Sequence, residues 1–123
     1  MSFHTTSAHE ICGTDVTNHQ GEALGLIKDV MIDMTDGTVA YLVLSHGGVF
    51  GTTLADKRFA VPFSAFSRVQ DKKDIKYLLN VQADFLDDAP GFDKDNYPDF
   101  ADPQFQEALQ RYYQEHVPQR KAA

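Results

Sequence analysis

Five histidines, one cysteine and eighteen acidic side chains are the groups in this 123-residue chain most able to carry chemistry. Their spacing assembles no catalytic set. His4, His9, His19, His46 and His116 include no pair spaced to set two imidazoles on one helix face, and no cysteine pair accompanies them. A zinc site is therefore not expected. Cys12, between Ile11 and Gly13, has no basic neighbour in sequence to lower its pKa, so it reads as a small buried apolar residue. Asp29 and Asp33 are four apart in a strand-like run and would share a face, as a carboxylate pair or, more plainly, as a solvent-facing edge. Asp93-Lys94-Asp95-Asn96-Tyr97 has the alternating acids of a calcium loop but lacks its sixth-position glycine and twelfth-position glutamate. No serine sits in a Gly-x-Ser-x-Gly elbow. Gly47, Gly48 and Gly51 make a glycine-rich loop, but no Gly-Lys-Ser/Thr follows to open a helix, so it reads as a wide turn and not a phosphate cradle. Phe50 and Leu54 in that loop are either folded back on the core or offered to a partner.

The stretch from Gly25 to Ser45 organises the elements around these residues. Two apolar, β-branched runs flank Asp36-Gly37, which is a hairpin signal. In the first arm Val30, Ile32 and Met34 alternate with Asp29 and Asp33, so one face is expected to be buried. The second arm, Val39 to Leu44, is apolar on both parities and is expected to be covered on both faces. Gly25 within the strand pattern predicts a bulge or a close backbone approach. Further strands are predicted at Ile11–Val16, with a bend at Gly13, and at Arg58–Pro62, Arg68–Gln70 and Lys76–Val81. Phe63–Phe66 is expected to be one helical turn, and Asn18–Gly21 and Asp71–Asp74 read as turns. A short helix is expected over Ala83–Asp88. Phe92 to Phe100 is expected to be an irregular segment that pins Phe92, Tyr97 and Phe100 to the sheet. The clearest helix begins with Asp102 as N-cap and Pro103 at its first position. Its stripe is Phe105, Ala108, Leu109, Tyr112 and Tyr113, and Pro118 stops it. That stripe is buried either on the same chain or across a dimer. The fold class is thus all-β: a small barrel or sandwich of about six short strands with a C-terminal helix packed on it. No strand–helix alternation indicates a doubly wound fold.

Size and charge narrow the function. One domain with tails fits the length, and a 42% hydrophobic composition supplies a core without disulfide or metal staples. No apolar run approaches the roughly 20 residues of a membrane span, and no signal-peptide pattern opens the chain. With a single cysteine, these features predict a cytoplasmic protein without membrane insertion. The segment from Asp84 to Asp102, which includes Asp87, Asp88, Asp93 and Asp95, carries −6 of the chain's −7. Sequence-independent nucleic-acid binding needs a basic footprint and is not expected. An acidic loop that aids solubility is the plain reading, and attraction to a basic protein is the other.

The order of several motifs resembles the PRC-barrel family in its small, stand-alone bacterial form. These motifs are Gly21-Glu22-x-Leu24-Gly25-x-Ile27-Lys28-Asp29-Val30, Asp36-Gly37-x-Val39-Ala40-Tyr41, Gly47-Gly48-x-Phe50-Gly51, Phe59-Ala60-Val61-Pro62-Phe63 and Ala89-Pro90-Gly91-Phe92-Asp93-Lys94-Asp95-Asn96-Tyr97-Pro98. The resemblance covers residues 10–100 and implies a highly bent antiparallel β-barrel that serves as an interaction module. It implies no catalytic residue, cofactor or metal. Residues 1–9 are then an N-terminal tail, 101–117 the helix and 118–123 a second tail. Unlike the photosynthetic reaction-centre subunit of the family, this chain shows no membrane helix. Unlike the ribosome maturation factor, it shows no extra N-terminal barrel.

The expected function is a non-catalytic adaptor, self-associating as a homodimer and stress-related. Its candidate surface comprises Phe50, Leu54, Tyr112 and Tyr113. The alternative is a binder of a basic protein, ribosomal or other, through Asp87, Asp88, Asp93 and Asp95. An enzyme of an unrecognised kind would need a deep polar pocket.

Overall fold

The computed structural model describes residues 6–46, 57–71, 74–82, 85–86, 91–93 and 95–116. Seven strands form one curled sheet, a half-barrel: β1 (Asp15–Thr17), β2 (Ala23–Asp33), β3 (Thr38–His46), β4 (Lys57–Pro62), β5 (Phe66–Asp71), β6 (Asp74–Leu79) and β7 (Phe92–Asp93). Their spatial order is β5-β6-β1-β2-β3-β4-β7. All neighbours are antiparallel except β1 and β6, which run parallel through Val16↔Tyr77 and Thr17↔Leu78. The purely antiparallel expectation is corrected at that one seam. A four-residue helix, α1 (Ala8–Ile11), precedes β1, and α2 (Pro103–His116) ends the described chain.

The segment expected to be a strand from Ile11 to Val16 is instead the end of α1, a turn at Gly13 and the short β1. Ser7 caps α1 by accepting the Glu10 amide at 3.0 Å. Asn18 then builds the next turn. Its buried side chain accepts from the amides of Gln20 and Glu22 and donates to the Glu22 carboxylate. β2 and β3 form the expected hairpin, closed over Met34–Gly37, with Gly37 at φ +76. Gly25 crosses β3 so closely that a Cβ would collide with the Ser45 carbonyl.

Cross-strand register explains why β3 is apolar on both parities. Leu42 opposes Val61 and Leu44 opposes Phe59; their side chains join Val16, Leu24, Ile27, Phe66 and Leu79 in the core. Val43 opposes Ala60 on the other face, and it too is fully buried. That outer face is crossed by the aromatic segment Phe92–Phe105 and by α2, which lies against β4. Leu109 and Tyr113 of α2 are buried in the same cluster as Ala60. The helix therefore buries Leu109 and Tyr113 of its stripe on its own chain, with Phe105 and Tyr112 half-buried and Ala108 exposed. Asp102 caps it as expected, accepting the Gln104 amide at 3.0 Å.

The buried-face expectation for β2 needs a correction. Lys28 is an extra residue in the β2–β3 pairing, and this bulge turns Ile27 to the same side as Val30. Ile32 and Met34 are not buried; they are 48% and 88% exposed. The hairpin outruns its neighbours. β4 ends at Pro62, opposite Tyr41, and β1 pairs no further along β2 than Leu26. Residues 32–39 thus project without a flanking strand among the described residues.

Candidate interaction surface

The polar groups nearest the core are held by one another. Tyr97 accepts from Arg58 Nη1 at 2.9 Å and directs its own hydroxyl at Asp29 Oδ2, 3.4 Å away. This chain of charge, phenol and charge ties the 95–100 segment to β2 and β4. Asp29 also accepts the Val30 amide. Asp33, four residues on and about 13 Å further along the strand, instead accepts the Thr35 amide in the turn. The two carboxylates therefore do not act as a pair. Burial, and secondarily the Asp29 charge, push the half-buried Cys12 thiol up, so it is a poor nucleophile at neutral pH. Burial also raises the Tyr41 and Tyr113 phenols, which stay protonated. Among the described residues no three His, Cys, Asp or Glu side chains gather to hold a metal.

Among the described residues, the projecting hairpin carries the most exposed large apolar side chains, Met34 and Ile32. A cleft opens on each of its sides, and Ile32 lines both. The outer cleft, about 520 Å³, lies between Met31, Met34 and Tyr41 on the hairpin and Phe100 and Gln106 beyond it. Asp33 and Thr35 stand at its edge. The inner cleft, about 350 Å³, is the open mouth of the half-barrel. Its walls are Ile11, Val30, Val39, Phe63 and Tyr77, and its lip carries Arg68. Arg68 lies two residues from Phe66 along β5 and opposes Tyr77, so it shares their core-facing side of the sheet. Its side chain is exposed and makes no hydrogen bond or ion pair among the described residues.

The surface residues expected from sequence are scattered. Phe50, Leu54, Asp87 and Asp88 lie outside the described residues. Asp93 pairs through its backbone with Lys57, and Asp95 is exposed. Tyr112 is half-buried, stacks on Phe85 and donates to the Phe85 carbonyl. Tyr113 is wholly within its own chain's core, so it offers no surface. Sequence reasoning missed Ile32, Met34 and Arg68. The available signal was an apolar side chain, Met34, set directly against the turn residues Thr35-Asp36-Gly37.

A family model described as the PRC-barrel domain matches residues 4–85, two-thirds of the chain. The chain belongs to the PRC-barrel family. The matched span runs from α1 through β6 and ends at Phe85, so the aromatic segment and α2 lie beyond it. No curated protein matches the sequence. Both clefts are built on the hairpin of the PRC-barrel portion, and the outer one borrows Phe100 and Gln106 from the segment beyond. Among the described residues no helix is long and apolar enough to cross a membrane.

Proposed function

We propose that this PRC-barrel chain is a non-catalytic adaptor that self-associates through the projecting end of its β2–β3 hairpin. The observation that carries the reading is the exposure of Ile32 and Met34, at 48% and 88%, between two clefts. Adjacent apolar side chains held out of the core on a braced hairpin favour association over solvation. The absence of catalytic work is supported by how the candidate groups are used: Asp29 and Tyr97 brace the fold, and the Cys12 thiol is held protonated. A cytoplasmic setting and a part in stress responses belong to the same proposal, the first supported by the unbridged Cys12.

Light scattering across a concentration series tests it. The wild type should rise from monomer to dimer mass, and Ile32→Asp with Met34→Asp should stay monomeric while melting like the wild type. A wild type that stays monomeric throughout, or a double variant that associates as the wild type does, overturns it.

A further inference from the structure

The geometry points to a reciprocal dimer in which the acidic tip of one hairpin enters the inner cleft of a second copy, with Arg68 as the receiving charge. The inference rests on the self-association proposed above and names its occupant and contacts. The tip carries an apolar knob between two anions: Met34, 88% exposed, is flanked in sequence by the exposed Asp33 and Asp36. Each carboxylate accepts turn hydrogen bonds through Oδ1, from Thr35 and from Thr38, which fixes its place at the tip and leaves a second oxygen for another donor. The Thr38 bonds hold Asp36 below its ordinary pKa, so it is ionised at neutral pH.

The inner cleft is complementary in both respects. Val30, Val39, Phe63 and Tyr77 offer apolar walls, and Arg68 offers a cation with no described partner. The outer cleft is not complementary, because Asp33 itself stands in its wall and would meet the incoming acids. Placement makes the exchange mutual. Ile32 lines the inner cleft, and Met34 lies only two residues beyond it, at the start of the turn that follows β2. A two-fold axis beside Ile32 then carries each knob over the other copy's cleft. Such an isologous arrangement closes on itself and buries both apolar tips at once. Arg68 suits the receiving role, since its planar fork takes carboxylate oxygens two at a time.

Charge exchange between copies tests this contact apart from self-association in general. Variant one is Arg68→Glu, at an exposed position whose side chain makes no bond among the described residues. Variant two is Asp33→Lys with Asp36→Lys, whose melting curve is compared with the wild type because the turn loses its caps. In sedimentation equilibrium each variant alone should dimerise about tenfold more weakly or worse, since like charges then meet in both contacts. Mixed in equal amounts they should form a heterodimer near wild-type strength. One contact is then native and the other has both charges reversed. If each variant alone dimerises like the wild type, or the mixture gains nothing, this contact is wrong while self-association stands. A monomeric wild type removes both proposals together.

Discussion

At the scale of single residues, carboxylates here act by holding backbone. Asp36 accepts both the amide and the hydroxyl of Thr38, at 3.0 and 2.7 Å, and these bonds lower its pKa from 3.8. A carboxylate depressed in the folded state adds stability above its unfolded pKa, and that contribution is lost as pH falls through the folded value. The Thr38 amide resonance should therefore titrate with a midpoint below 3.8, and Asp36→Asn should abolish that step; an unshifted midpoint would contradict the bonds. Glycines divide in the same local way. Gly25, at φ +151, faces the Ser45 carbonyl where a Cβ would go, whereas Gly37, at φ +76, has open space there. Gly37→Ala should cost about 1–2 kcal/mol from conformation alone. Gly25→Ala should cost more than about 3 kcal/mol because steric collision is added to strain. Urea unfolding of the two variants checks the order. Gly25 was legible as a bulge or a close approach because glycine interrupted a strand pattern, and the structure shows the close approach. The start of α1 was missed: Ser7-x-x-Glu10 is a helix-start signature, but residues 1–9 read as a tail and Ile11 as the start of a strand, whereas Ser7 caps a helix over Ala8–Ile11.

At the scale of elements, the hairpin could be read because two apolar runs flank Asp36-Gly37, and α2 because its apolar stripe repeats one period over several turns. The bulge at Lys28 could not be, since one extra residue leaves no compositional mark yet reverses which side chains face the core. The exposure of Ile32 and Met34 was hidden for another reason. It follows from where β4 and β1 stop pairing, a property of neighbours and not of the hairpin itself. Helix placement had two solutions in sequence, because packing in cis or across a dimer buries the same stripe. The structure packs α2 in cis, with Leu109 at 1% exposure and Tyr113 at 0%. Leu109→Ala should then lower stability by about 2–4 kcal/mol, with a denaturation midpoint that does not depend on protein concentration when the hairpin contact is removed by Ile32→Asp with Met34→Asp. A midpoint that rises with concentration there would mean the stripe is buried by a second chain.

At the scale of the molecule, the sheet is two groups of local hairpins joined by one parallel seam, with β7 added from further along the chain at the edge of β4. β2, β3 and β4 are sequential neighbours whose shared centre, Leu42 to Leu44, is sealed on both faces. β5 and β6 are another local pair. They meet the first group through the parallel contact of β1 with β6, only two residue pairs long and about sixty residues apart in sequence. Nothing in the composition of Asp15-Val16-Thr17 distinguishes a parallel from an antiparallel partner, so this seam was not legible beforehand. A short seam between two locally stabilised groups divides the sheet into units that open separately. Hydrogen exchange should show the amides at the centre of β3 exchanging at the global unfolding rate, and those of β5 and β6 exchanging together and sooner. Val16→Ala, which empties a fully buried site at the seam, should widen that gap by speeding β5 and β6 more than β3. Equal acceleration of all strands would mean that the seam transmits cooperativity and the half-barrel opens as one unit.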